Sequence, residues 1–212
     1  MTLDKDFVSS VRISDKNLAY TGIDFSGNAG AAIGKALGRA ANEYTIGLIN
    51  STNCTVSASF DATNKTAFAN LVKIAYDNDI PVKDSVVLVN PTQWAKILGA
   101  VADYSIYGSQ DIIKTGVVKD ILGFAGIACT TSLESGTVGA IVPQNALATV
   151  SLYCPPVYPE SFAGVWKGVD DENGLAISMT EHSNTATGYG YIAGRVLFGA
   201  KLLYPGKVIR LV

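Results

Sequence analysis

The stretch Ser85-Val-Val-Leu-Val-Asn-Pro-Thr-Gln-Trp94-Ala-Lys-Ile-Leu98 places three structural signals in direct succession. The apolar run Ser85–Val89 has the length of a buried strand. Asn90 is a preferred helix N-cap, and Pro91 suits the first helical position because its missing N–H would have no helical partner there. The pattern therefore predicts a buried strand followed directly by a short helix that Gly99 ends.

One face of this short helix is predicted to be buried. Trp94 stands early in the helix, and Ile97 and Leu98 follow it by three and four residues. Side chains at these spacings are neighbours on a helix surface. We expect all three to anchor the helix on a sheet.

A longer helix is predicted from Ser26, as N-cap, to about Ile49, because apolar residues recur there at spacings of three and four. Gly30, Gly34 and Gly38 interrupt it, and each glycine costs about 1 kcal/mol relative to alanine inside a helix. We interpret this stripe as the contact for a closely packed backbone, in a sheet that includes the last two strands. A phosphate-binding loop fits poorly, because three residues rather than four precede Gly34-Lys and alanine replaces the Ser or Thr of that motif.

The second half of the chain reads as short strands separated by turns. The last two are predicted at about Tyr189–Leu203 and Lys207–Val212, on either side of Tyr204-Pro-Gly. Between Ile121 and Trp166 the only charged residues are Glu134 and Glu160, which indicates a core or interface segment. Helices followed by strands predict an α+β fold.

Composition favours self-association over the other classes of function. Of the 212 residues, 48% are apolar and 16% are charged, and the net charge is −2. The longest apolar run, Ile121–Cys129, is too short for a membrane helix of about 20 residues. There is no basic run for sequence-specific nucleic-acid binding, and no secretory signal is recognised. The excess of apolar residues predicts a subunit interface, with Trp166 as one candidate contact.

The sequence offers few groups for catalysis or metal binding. His182 is the only histidine, and no G-x-S-x-G motif accompanies it. Cys54, Cys129 and Cys154 fit neither a disulfide framework nor a zinc spacing, so we interpret them as small buried apolar residues. The acidic run 170–172 lacks the ligand spacing of a calcium loop. We predict no catalytic residue, cofactor or metal, while a small-molecule α/β enzyme using His182 stays open as an alternative.

The unit 85–98 resembles a signature of tailed-phage major capsid proteins of the Hong Kong 97 fold, in which an apolar strand, Asn-Pro, two residues and an aromatic open a short helix. Further similarities follow in the family's order, covering about Phe60 to Val212. They are Tyr107-Gly, Gly126-Ile-Ala-Cys-Thr-Thr131, Val138-Gly-Ala-Ile-Val142 and Tyr204-Pro-Gly-Lys-Val-Ile-Arg210. The glycine-rich helix stands where the family has its long spine helix.

The resemblance implies a peripheral domain, residues 1–59 and 183–212 with spine helix 26–49, and an axial domain, residues 60–182, of mixed sheet flanked by helices. It implies a shell subunit made in the host cytoplasm and located in the virion, where pentamers and hexamers enclose the genome. Scaffold and portal proteins would be further partners, and an encapsulin-type nanocompartment is the alternative. The structural and interface candidates are Gly30, Gly34, Gly38, Asn90, Pro91, Trp94, Tyr107 and Trp166.

The region before the spine helix departs from the family pattern. Members carry an N-terminal arm and a long hairpin, the E-loop, before this helix, whereas only about 25 residues precede it here. We therefore expect a shortened arm and E-loop and no covalent cross-link between subunits.

Overall fold

The chain forms two units, each with its own apolar core. One consists of Met1–Tyr44 with Thr149–Ala200, and the other of Thr45–Ala148 with Lys201–Val212. The computed structural model describes residues 2–14, 25–62, 65–102, 118–119, 123–154, 156, 164–169, 174–184 and 188–212. Its helices are α1 (Phe25–Gly47), α2 (Lys65–Asp77) and α3 (Pro91–Ala102). Its strands are β1 (Lys5–Ser14), β2 (Val56–Ala58), β3 (Ser85–Val89), β4 (Val118–Lys119), β5 (Gly126–Cys129), β6 (Gly139–Pro143), β7 (Leu147–Leu152), β8 (Gly164–Val169), β9 (Ala176–Asn184), β10 (Tyr189–Leu202) and β11 (Ile209–Leu211).

The first unit contains an antiparallel sheet in the order β1-β10-β9-β8, and β7 also pairs with β10. Strand β1, which the sequence analysis did not predict, pairs with β10 over ten residues, from Lys5 opposite Phe198 to Ser14 opposite Tyr189. Burial alternates along most of β1. In the sequence, the apolar Phe7, Val11 and Ile13 stand at the less exposed positions of this alternation. The polar Asp6, Ser10 and Arg12 stand at the exposed ones, so a signal for β1 was present in the sequence.

Helix α1 packs on this sheet through one row of side chains. Ala29, Ile33, Leu37 and Ala41 follow each other by four residues and are at most 6% exposed. They form one apolar cluster with residues of β9 and β10. The predicted helix on a sheet is therefore confirmed, with one correction: only β10 of the last two strands belongs to that sheet. Strand β11 pairs with β2 and β6 in the other sheet.

The close approach of helix and sheet depends on a glycine of the strand rather than on the glycine stripe of the helix. A Cβ at Gly194 in β10 would overlap the Cγ2 methyl of Ile33 and lie 3.2 Å from Cδ1 of Leu37. In the helix, a Cβ at Gly34 would meet nothing within 4 Å, and one at Gly30 would make an ordinary 3.6 Å contact with Met179. The interpretation of the stripe as a backbone contact is thus corrected at these two positions.

The second unit contains a mixed sheet in the order β2-β11-β6-β3-β5-β4. The predicted strand Ser85–Val89 is confirmed as β3, which pairs antiparallel with β6 and parallel with β5. Its side chains Val87 and Val89 are fully buried, and they belong to a core that also includes Leu71 of α2 and Ile97 of α3.

These units differ from the predicted domains at their boundaries. Strands β8 and β9, predicted in the axial domain, belong to the first unit because they form its sheet with β10. Strands β2 and β11, predicted in the peripheral domain, belong to the second unit because they pair with each other and β11 pairs with β6. The assignment of peripheral and axial roles stays a prediction.

The surroundings of Gly194 and Gly34 predict opposite changes in stability when each glycine is replaced by alanine. Gly194→Ala forces Ile33 to shift in a packed core, and overpacking of this kind costs about 1–3 kcal/mol. Gly34→Ala adds a methyl group in open space and gains helix propensity, so it should stabilise by up to about 1 kcal/mol. Urea unfolding followed by circular dichroism measures both changes. Equal stability of Gly194→Ala and the parent would contradict the close packing.

Candidate assembly surfaces

The junction between β3 and α3 is held by hydrogen bonds from Asn90. Its side-chain Oδ1 accepts from the backbone N–H of Gln93 at 2.8 Å, which is N-cap geometry. Its backbone N–H donates to Val138 O at 2.9 Å, and its carbonyl accepts from Trp94 N–H at 2.9 Å. Pro91 is the first helical residue. The predicted cap is confirmed, and it also ties the helix start to the segment before β6.

Gln93 is a structural residue that the sequence analysis missed. Its side chain is 6% exposed, and its Oε1 accepts from the backbone N–H of Ala62 at 2.9 Å. A glutamine three residues after an N-cap is typical of a capping box, in which it would bond the N-cap N–H. Here that N–H is already bonded to Val138, so the Gln93 side chain is available to a segment 31 residues away.

The buried face of α3 differs from the prediction. Ile97 is fully buried and Trp94 is half-buried against the same core, but Leu98 is 38% exposed. The helix also continues past Gly99 to Ala102. Gln93 and Ile97 are four residues apart, which is close to one helical turn, so they lie on the same face of α3. Leu98 is five residues from Gln93 and therefore points away from this face. Gln93 thus occupies the buried position that was predicted for Leu98.

Glu134 joins three segments of the second unit. Its carboxylate accepts from the backbone N–H of Ser51 at 2.8 Å and from the Ser51 hydroxyl at 3.0 Å. It also accepts from Nη1 of Arg210, in β11, at 2.8 Å. The Ser51 backbone hydrogen bond is the largest influence on this carboxyl, and with the Ser51 hydroxyl and Arg210 it holds the pKa of Glu134 below its usual range.

The surface of the first sheet that faces away from α1 carries charged and aromatic side chains. Arg12 lies over the Tyr189 ring, and its guanidinium carbon is 3.5 Å from the centroid of that ring. The same carbon is 5.8 Å from the centroid of the Tyr191 ring. Arg195 donates two hydrogen bonds to Asp6, one of them from Nε at 2.8 Å. This pairing holds the pKa of Asp6 below its usual range.

The candidate groups for chemistry are dispersed in the described residues. His182 is exposed on β9, opposite Tyr191 of β10. Cys54 is buried as predicted, whereas Cys129 is exposed and Cys154 half-buried. Desolvation raises the pKa of the Cys54 and Cys129 thiols, so neither is activated as a thiolate. No group of three His, Cys, Asp or Glu side chains able to hold a metal occurs among the described residues.

Large apolar side chains reach solvent in both units. Single exposed apolar residues are normal on a protein surface, but a chain that self-associates needs such contacts. Those at least 45% exposed are Val8 and Leu152 in the first unit and Tyr76, Leu203 and Tyr204 in the second. No helix in the described part of the chain is long and apolar enough to cross a membrane.

Some predicted site residues cannot be placed. Tyr107 and the acidic run 170–172 lie outside the described residues, and so does the side chain of Trp166, whose backbone is in β8. Of the glycine stripe, Gly38 is buried and Gly30 and Gly34 are half-buried. Their roles in an interface stay predictions.

Solved structures resemble this chain over nearly its whole length. The capsid structure of cyanophage P-SCSP1u matches with a TM-score of 0.60 and 16% identity, over 98% of this chain and 72% of that chain. A structure from Mycobacterium phage Che8 matches with a TM-score of 0.57 and 16% identity, over 99% and 71%. The holo-SrpI encapsulin complex of Synechococcus elongatus PCC 7942 matches with a TM-score of 0.54 and 12% identity, over 98% and 72%.

The chain has the Hong Kong 97 fold. No protein-family model and no curated protein matches its sequence. The α+β class and the fold expected from the resemblance are confirmed. These three solved chains are longer, so part of each has no counterpart in these 212 residues.

The hydrogen bonds at the start of α3 predict the cost of losing them. Asn90→Ala removes the cap and should destabilise by about 1 kcal/mol. Gln93→Leu leaves the buried N–H of Ala62 without a partner, which costs about 1–3 kcal/mol. Thr92→Ala, at an exposed position of the same turn, should change stability by less than about 0.5 kcal/mol. Urea midpoints measure all three, and a Gln93→Leu variant as stable as Thr92→Ala would contradict the assigned bond.

The lowered pKa of Glu134 predicts a loss of stability in acid. Its folded pKa lies below the unfolded value of about 4.5, so its contribution is complete above that pH and is lost as pH falls through the folded pKa. Glu134→Gln should melt at a lower temperature than the parent near neutral pH. Its melting temperature should also fall less than that of the parent when the pH is lowered. Glu43→Gln, in an exposed pair with Arg39, is the control. Parallel melting curves for Glu134→Gln and the parent at every pH would refute the assignment.

Proposed function

We propose that this chain is a shell subunit that self-assembles into the capsomers of a tailed-phage or prophage capsid. The observation that carries the proposal is the Hong Kong 97 fold over nearly the whole chain, shared with the cyanophage capsid structure. Pentamers and hexamers of the chain would enclose the genome in the virion, and scaffold and portal proteins would take part in assembly after synthesis in the host cytoplasm.

The chemistry of the surface supports a structural rather than a catalytic role. His182, the only histidine, lies on an exposed strand face, and the exposed Cys129 has a raised pKa. A catalytic base or nucleophile is more often found in a protected site than on an exposed strand face. In the proposed shell each interface between subunits is weak, but symmetry repeats it many times, and together the interfaces stabilise the particle.

Exposed apolar side chains give this assembly its driving force. Tyr76 is 68% exposed and Tyr204 is 58% exposed, and both belong to the second unit. Aromatic side chains are enriched in the buried centres of protein interfaces because each covers a large area at small entropic cost. We propose that these side chains contact neighbouring subunits in capsomers.

An encapsulin-type nanocompartment shell is the second candidate function. The similarity to the holo-SrpI encapsulin complex is nearly as high as that to the phage structures. The two functions share the subunit fold and differ in what the shell encloses. The contents of purified particles therefore distinguish them: packaged DNA favours the capsid, and an enclosed protein favours the nanocompartment.

Electron microscopy and sedimentation of the purified chain, over a wide range of concentrations, test the shell proposal. We expect closed particles or capsomer rings whose fraction rises with concentration, because each contact is weak and repeated. A chain that stays a small oligomer at every concentration would contradict a shell role.

His182→Ala tests the catalytic alternative in the same assays. A substitution at an exposed surface position usually changes stability by about 0.5 kcal/mol or less. We expect its particles and melting temperature to match those of the parent. An enzymatic activity of the parent that His182→Ala abolishes would favour the enzyme instead.

A further inference from the structure

Strand β1 forms an open edge of the sheet in the first unit. It is the terminal strand of the order β1-β10-β9-β8, and no described strand pairs with its outer side. At ten residues it is about twice the usual strand length, whereas soluble proteins keep exposed edge strands short. A row of backbone N–H and C=O groups therefore faces outward along the strand.

The sequence of β1 lacks the devices that protect an edge from pairing. It contains no proline, and its ten consecutive pairs with β10 leave no bulge. Its one lysine, Lys5, stands at the end of the strand with Nζ 5.1 Å from the Tyr44 ring centroid. Proteins protect free edges with lysine, proline, bulges or a covering segment. Among the described residues, neither a proline nor a bulge nor a further strand protects this edge, so it is open to pairing.

The two faces of β1 restrict how a second strand can pair with it. Phe7, Val11 and Ile13 pack against the α1 cluster, while Asp6 and Arg12 are exposed on the opposite face. Directly paired residues lie on the same face of a sheet, so an added strand must match buried with buried positions and exposed with exposed. A register displaced by one residue would turn every side chain to the wrong face.

A second copy of β1 meets this condition when it pairs antiparallel about Ser9. Asp6 of one copy then lies opposite Arg12 of the other, and this pair occurs twice because of the two-fold symmetry. Phe7 lies opposite Val11 on the buried face. Centring on Ser10 also keeps the faces but places Arg12 opposite Val8 and leaves Asp6 opposite Ser14. Opposite charges directly across strands are favourable, so the Ser9 register is preferred over the Ser10 register.

We propose that two copies of this chain join through antiparallel pairing of their β1 strands, centred on Ser9. The partner is thus a second copy of the same strand, selected by backbone hydrogen bonds and two Asp6–Arg12 pairs. Asp6 can serve both Arg195 of its own chain and Arg12 of the other, because a carboxylate has about four lone-pair sites. The inference rests on the proposed function only in taking a second copy as the partner.

Cross-linking of two adjacent serines tests this pairing. Ser9→Cys and Ser10→Cys are prepared with Cys129 and Cys154 changed to serine, and Cys54 stays because it is buried. Copper-catalysed air oxidation then joins two thiols into a disulfide wherever they lie opposite each other. We expect Ser9→Cys to form dimers at least about tenfold faster than Ser10→Cys, since directly opposite residues are the closest across strands. Exposure alone would give the reverse order, because Ser10 is more exposed than Ser9.

The charge pair is tested in the Ser9→Cys protein. Arg12→Glu places two carboxylates opposite each other and should slow cross-linking about tenfold or more. Arg12→Lys retains the charge and should cross-link nearly as fast as the parent. Circular dichroism melting checks that both variants fold. Equal rates for Arg12→Glu and Arg12→Lys would overturn the charge pairing on which the register depends.

The outcomes separate this inference from the shell proposal. Particles without Ser9→Cys cross-links overturn the β1 pairing and leave the shell role intact, with the edge open or covered by another segment. Faster cross-linking of Ser10→Cys overturns the proposed register. Cross-linked dimers of Ser9→Cys in a protein that never forms particles support the pairing and contradict the shell role.

Discussion

The second unit depends on the hydrogen bonds made where β3 ends and α3 begins. Asn90 caps the helix with its side chain and bonds Val138 with its backbone, and Gln93 bonds Ala62. These contacts hold the helix start, the segment before β6 and the segment before α2 in one place. Because β3 lies between β5 and β6 in the sheet, the junction sets the position of α3 on the core of this unit.

The first unit depends on the long strand β10. It pairs with β1, β9 and β7 and supplies part of the cluster that packs against α1. Gly194 lets the helix approach this strand, because any side chain there would occupy the place of Ile33. The helix can therefore contribute large side chains to the contact while the strand contributes backbone.

The proposed assembly function depends on surfaces that can contact other subunits. The Hong Kong 97 fold is present at identities of 16% and below in the structures compared, so it tolerates almost complete change of side chains. What such a fold must conserve is the pattern of burial and strand pairing. The proposed shell role and the proposed β1 pairing both use backbone edges and exposed apolar or charged faces.

The sequence by itself determined the local elements. The strand Ser85–Val89, the Asn90 cap and the long helix α1 were predictable, because each follows from neighbouring residues and the helix or strand period. The resemblance added the fold, since the order of motifs carried information that no single motif did. The predicted end of α3 at Gly99 was nevertheless wrong, since the helix continues to Ala102. One glycine costs about 1 kcal/mol in a helix, which is less than the further turn contributes.

Only the tertiary structure decided which distant elements became neighbours. The ion pair of Asp6 and Arg195 joins residues 189 positions apart, and Glu134 bonds Ser51 across 83 positions. The placement of β11 in the second sheet and the contact of Gly194 with Ile33 also join residues that are far apart in the sequence. A residue's own sequence neighbourhood does not encode its partner across a sheet, because many strands of similar pattern compete for each edge. The free energy of the whole packed core selects among them.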